Sequence, residues 1–241
     1  GKPVGFKLAI GHPWEWFGIA KAMAASGILP DFIVVDGGEG GTGAAPLEFT
    51  DHVGVPLREA LMLVHNTLVG LDLRGAIRVG AAGKIVTAFD MARVMAMGAD
   101  WCNAARGFMF ALGCIQSQSC HTDLCPTGVA TQDARRQQAL DVPDKAARVH
   151  RFHENTLRAL KELLAAAGLT HPDQLGPEHV IRRLSSHEVR SLGALYPWVK
   201  RGELLAGGAE HAVFQRFWAL ATPESFDVPP ELLARRASRV L

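Results

Sequence analysis

Short apolar runs and helix-spaced stretches alternate through the first 106 residues, and that rhythm restricts the fold more than any other feature of the chain. Residues 4–10 are apolar enough for a strand. Residues 14–26 then carry Trp16, Phe17, Ile19, Ala20 and Met23 at helical spacing and close on Gly27. Residues 31–36 read as a fully buried type of strand, and residues 56–70 as a helix that starts at a proline and stops at a glycine. A third strand is predicted over 76–80, a helix from about 87 to 98, and a fourth strand over 101–106. Strands that alternate with helices of this length pair in parallel through right-handed crossovers, which leaves a doubly wound sheet or a (β/α)8 barrel.

Glycines favour the barrel. They follow the strands, at Gly37, Gly38, Gly40, Gly41, Gly80, Gly83 and Gly107, where barrel active sites collect. Gly38-Glu39-Gly40-Gly41-Thr42-Gly43 does not open a helix with the offsets of a dinucleotide fingerprint. Four strands cannot close a barrel. The expected fold is therefore α/β: the C-terminal half of a (β/α)8 TIM-type barrel over residues 1–112, with the N-terminal barrel half upstream or in a partner. The start at Gly1, on a strand and without an initiating Met, also suggests part of a longer protein.

Three of the four cysteines fall in residues 113–132 with C-x5-C-x4-C spacing, as Cys114, Cys120 and Cys125. Closely spaced thiolates on a loop suit an iron–sulfur cluster, and a local set of three suits one with three ligated irons. Pro126 turns the chain away from the site. A zinc knuckle remains an alternative, although His121, adjacent to Cys120, is poorly placed to complete a tetrahedral set. The odd number and the lack of a secretory segment argue against disulfides. Cys102, beside Trp101, reads as a small buried hydrophobe.

At 241 residues, 48% hydrophobic and with a formal charge of +1, the chain can bury a large core and offers no strong footprint for nucleic acid or a membrane surface. No uninterrupted apolar stretch of roughly 18 residues occurs, and a reducing cytoplasmic location is expected.

The glycine loops carry the candidate ligand chemistry. Residues 80–84 and 105–107 fit the phosphate cradle at the last two strands of a barrel, with Gly83 admitting the backbone and Arg106 offering a fork of donors. Surface ion pairs are the alternative for Arg106 and Lys84. Lys7 lies mid-strand and points either into a polar barrel mouth, where its ammonium stabilises a reduced flavin or a substrate carboxylate, or to solvent at an edge. The loop 36–46 is long and glycine-dense, as for a segment lying against a ligand; a flexible lid is the alternative.

The blocks 37–46, 111–114, Cys120-His121, Cys125-Pro126 and 127–132 together resemble the flavin domain of glutamate synthases in content, order and separation. The resemblance is specific over residues 1–132. It implies an FMN-binding half-barrel over 1–112, a 3Fe-4S cluster loop over 113–132 and a helical C-terminal extension over 133–241. The activity implied is that of an FMN and iron–sulfur oxidoreductase. Electrons pass through the cluster to FMN, which reduces 2-iminoglutarate, formed from 2-oxoglutarate and ammonia, to glutamate.

By position, the resemblance makes Cys114, Cys120 and Cys125 the cluster ligands and Lys7 catalytic, at both flavin and substrate. It puts Gly41, Thr42, Gly43, Gly83, Lys84, Arg106 and Gly107 at the cofactor. Where the family commonly has an Asp-Gly-Gly-type turn, residues 82–88 differ, so phosphate contacts there would be rebuilt around Lys84. An electron-donor protein or reductase subunit is implied as partner, and ammonia must come from solution or another subunit. Other FMN-dependent barrel oxidoreductases, an N-methylglutamate synthase-type enzyme and a non-catalytic zinc-stabilised module are the alternatives.

Beyond residue 132 the signal changes. Residues 145–168 form a predicted amphipathic helix with Val149, Phe152, Leu157, Leu160 and Leu164 along one side, a packing element without chemistry. Prolines then break up short helical pieces such as 179–184.

Overall fold

The computed structural model describes residues 1–41, 43 and 45–237. Its framework is β1 (Gly5–Ala9), α1 (Pro13–Ser26), β2 (Phe32–Asp36), α2 (Leu57–Gly70), β3 (Arg78–Ala82), α3 (Ala88–Ala96), β4 (Trp101–Asn103) and α4 (Arg106–Leu112). The four strands are parallel and lie in sequence order, β1-β2-β3-β4. That order lacks the reversal that defines the switch point of a doubly wound sheet.

Local chemistry sets the helix ends. Gly27 takes a left-handed φ of 69° and donates its N–H to the Met23 carbonyl, stopping α1. Thr87 and Asp90 exchange hydrogen bonds across the start of α3, a capping box. The fourth strand is shorter than predicted, because Ala104 and Ala105 turn the chain and Arg106 already begins α4.

Parity divides the sheet. Ile33, Val35, Val79 and Ala81 are buried in one core with Trp16 and Phe17 of α1 and Leu61 and Leu68 of α2. Lys7, Val34 and Gly80 are in register on the opposite face, as are Ala9, Asp36 and Ala82. The helices thus cover one side and leave the polar positions to the other.

After α5 (Ala134–Gln137), the long helix α6 (Val142–Ala166) packs against α3 and α4. Leu160 and Leu164 meet Ala88 and Ala92, as the amphipathic pattern requires. The piece expected to be helical over 179–184 is different. A 3-10 turn (Pro177–His179) leads into β5 (Ile181–Arg183), which pairs antiparallel with β6 (Val189–Ser191). Leu184 and Ser185 donate to the Glu188 carbonyl and close that hairpin, a return that helical spacing alone cannot reveal. The chain continues through α7 (Leu192–Leu195), α8 (Ala212–Phe217) and α9 (Pro230–Ala237). Leu192, Val199, Leu204, Phe214 and Ala221 join the core of the first helices. Among the described residues no helix is long and apolar enough to cross a membrane.

Candidate active site

The carboxyl ends of the strands open onto a cavity of about 390 Å³ whose wall includes Lys7, Gly41, Gly43, Gly83, Lys84 and Arg106. Cys114 and Cys120 line it as well. Predicted residues from within β1, from the loops after β2 and β3, from the start of α4 and from the cysteine loop are therefore brought to one place. Thr42 lies outside the described residues. Gly107 and Cys125 do not line this cavity.

Each cation on the wall has an internal partner. Lys7 Nζ is 2.6 Å from Asp36 Oδ2. Ala9 is the register partner of Asp36, so Lys7 and Asp36 are diagonal neighbours on the open face of the sheet. The other Asp36 oxygen accepts the Gly38 N–H at 2.9 Å. Lys84 Nζ is 2.8 Å from Asp51 Oδ2. Arg106 Nη2 donates to the carbonyls of Glu39 and Gly40, at 3.3 and 3.1 Å, and so straps the glycine loop to the start of α4. On the loop's other side, Glu39 Oε2 accepts the Leu57 N–H at the start of α2.

The glycines divide by role. An added Cβ at Gly40, Gly41 or Gly43 would meet no atom of the described residues within 4 Å, so these positions leave open space beside the cavity. At Gly107 it would come within 2.6 Å of the Phe152 ring. This glycine lets α4 pack on α6, a structural demand that its position in sequence did not disclose.

The cysteine loop starts where α4 ends. Gly113 is left-handed at the helix C-cap, and the Cys114 N–H donates to the Met109 carbonyl. Cys120 opens a 3-10 turn (Cys120–Thr122). Behind it, the Thr131 hydroxyl donates to the Asp123 carbonyl, the Gln132 N–H donates to the Asp123 carboxylate, and Arg136 reaches the Leu124 and Cys125 carbonyls. Burial raises the Cys125 thiol's pKa. The Thr127 hydroxyl and the N–H groups of Ala130, Thr127 and Val129 outweigh it and bring the value down to about 7. Cys102 behaves oppositely, pushed up to about 12 by burial, as befits an inert packing residue. Among the described residues, no group of three or more His, Cys, Asp or Glu side chains converges as a metal site.

Sequence reasoning missed Asp36 and Asp51 as partners of the two lysines. Asp36 was legible in principle, since it ends a predicted strand beside the one bearing Lys7. Asp51 carried no such signal, lying 33 residues from Lys84.

Parallel β–α units with a glycine-walled, cation-bearing cavity at their carboxyl ends define an α/β protein. Residues 1–170 match the family model for the conserved region in glutamate synthase, and the chain belongs to the glutamate synthase family. A glutamate synthase large subunit-like protein of Bacillus subtilis is 45% identical over 182 residues, covering 76% of this chain and 35% of that protein. An archaeal glutamate synthase [NADPH] of Methanocaldococcus jannaschii is 39% identical over 176 residues, covering 72% and 33%. A ferredoxin-dependent glutamate synthase of Synechocystis is 34% identical over 175 residues, covering 72% of this chain and 10% of that one. The chain thus spans about a third of the length of the first two relatives. Among solved structures, a mutant flavocytochrome b2 with pyruvate bound aligns at a TM-score of 0.43 and 14% identity, covering 85% of this chain and 39% of the other.

Proposed function

We propose that this chain forms the cofactor-bearing part of a glutamate synthase-type oxidoreductase and is half of a (β/α)8 barrel that binds FMN beside a 3Fe-4S cluster. The proposed reaction is the reduction of 2-iminoglutarate, from 2-oxoglutarate and ammonia, to glutamate. One observation carries the reading: Lys7, Lys84, Arg106 and open glycine backbone share a single cavity with Cys114 and Cys120.

The residues suit the flavin. Three basic side chains face a space of about 390 Å³, within the usual range for small-molecule sites, and Gly40, Gly41 and Gly43 leave room for close backbone approach. In this assignment Lys84 and Arg106 hold the phosphate, and Lys7 places positive charge where a substrate carboxylate binds. Asp36 keeps Lys7 aimed across the face of the sheet. The donor set of the loop also suits a soft metal cluster, because it is made of thiols and the Thr127 hydroxyl and nearby N–H groups bring the Cys125 pKa down to about 7. Its sulfur would join those of Cys114 and Cys120 as ligands. When bound, the cluster supplies one-electron delivery and FMN the two-electron reduction.

The test is an anaerobic absorption spectrum of the full-length protein with flavin, iron and sulfide quantified. One FMN and a three-iron cluster per chain are expected, with iron lost in Cys120→Ser. Protein that holds neither flavin nor iron, even after reconstitution, would end the reading.

A further inference from the structure

We infer that Asp51 is a built-in competitor for the anion that the cavity binds at Lys84, so that an entering anion displaces its carboxylate and releases the segment 46–54.

Asp51 and Lys84 both line the cavity, and their charged atoms are 2.8 Å apart. A carboxylate at this distance takes one of the ammonium's three donors, neutralises its charge and repels an incoming phosphate, so the two anions compete for Lys84. Both residues have left-handed backbone, with φ of 67° at Asp51 and 44° at Lys84. Aspartate tolerates that region, but lysine rarely visits it, so the pairing is held against a local backbone preference.

Burial does little to fix the Asp51 segment. Leu47, Phe49 and Val53 are 44%, 57% and 60% exposed, so its polar ties matter more. One of these ties runs inward. The Asp51 N–H donates to the Gly38 carbonyl at 3.2 Å, and the Gly38 N–H donates to Asp36, the partner of Lys7. A continuous polar chain therefore joins Lys84 to Lys7 through Asp51, Gly38 and Asp36, and an anion at Lys84 acts on its first link. The inference rests on the reading of Lys84 as an anion-binding residue and is independent of any redox step.

The experiment titrates inorganic phosphate onto the full-length chain prepared free of flavin. Asp51→Asn removes the charge and keeps a residue that accepts left-handed backbone. It should tighten phosphate binding roughly two- to fivefold, the range for a half-exposed ion pair. Lys84→Gln should weaken binding, and the double variant should show no gain over Lys84→Gln alone. Phosphate should also speed amide hydrogen exchange across residues 47–54 of the wild type but not of Lys84→Gln. If Asp51→Asn binds no tighter while Lys84→Gln binds more weakly, competition is wrong and the anion site stands. Should Lys84→Gln bind like the wild type, the anion assignment of Lys84 falls too, and the inference with it.

Discussion

Lys7 is the residue on which the proposed chemistry turns, and its position has a simple origin. Alternation along β1 sends Phe6 and Leu8 toward the helices and Lys7 toward the cavity, where Asp36 meets it. Lys7→Met removes the charge but little volume. It should lower glutamate formation by roughly a hundredfold or more while leaving flavin content unchanged, as kinetics and absorbance together will report. Gly38 illustrates a different constraint. Its φ is +63°, and a Cβ there would sit 2.5 Å from the Val53 carbonyl oxygen. Gly38→Ala should therefore cost about 3 kcal/mol of stability in denaturant unfolding. Lys7 was legible because a lone cation in an apolar strand is conspicuous. Asp51 was not, because an aspartate in a polar loop has no local mark of the lysine it will meet.

Elements were legible where their ends are written in local chemistry. The proline before α2 and the glycine after α1 appear as predicted, and of the apolar stripe on α6, Leu160 and Leu164 are buried while Leu157 is exposed. The hairpin of β5 and β6 was misread, since its pairing joins two three-residue strands across a turn and leaves almost no periodic signal. Contacts between elements were invisible in the same way. Asn66, 1% exposed on α2, donates to the Pro197 carbonyl at 2.9 Å and accepts the Val199 N–H at 3.1 Å. Truncation strands the buried Val199 N–H and takes the donor from the Pro197 carbonyl. Asn66→Ala should destabilise the protein by about 2–4 kcal/mol, measured as a lower midpoint of urea unfolding. Lys21 makes a similar tie, donating to the Trp218 and Ala221 carbonyls.

At the scale of the molecule, residues beyond the family match complete its core. Phe214 stacks on Phe17 at 4.9 Å, and Leu204 and Val199 close over Gly70, where an added Cβ would clash with Leu204 and crowd Val199. A chain ending at residue 170 would expose this surface. It should bind a hydrophobic dye and unfold at a lower denaturant concentration than the longer chain.

The same interface carries a pH dependence. His65, edge-on to Trp198, is drawn down from 6.5 to about 4, first by burial and then by the charge of Arg74, with Asp100 opposing. The unfolded chain binds this proton more readily than the folded one. Stability should then be full above pH 6.5 and fall by up to about 3 kcal/mol as pH drops toward 4. His65→Gln should flatten that slope in denaturant unfolding at pH 7.5 and 4.5.

What the sequence determined by itself is whatever depends on near neighbours: the strand–helix alternation, helix caps, the three-cysteine loop and the lysine in β1. Steric and hydrogen-bonding preferences act over a few residues, so a linear reading captures them. Only the tertiary structure decided which carboxylate faces which cation, why Gly107 must be glycine, and how residues 180–221 seal the first helices. Those outcomes depend on surfaces brought together from distant parts of the chain, and no short window of sequence contains both sides of such a contact.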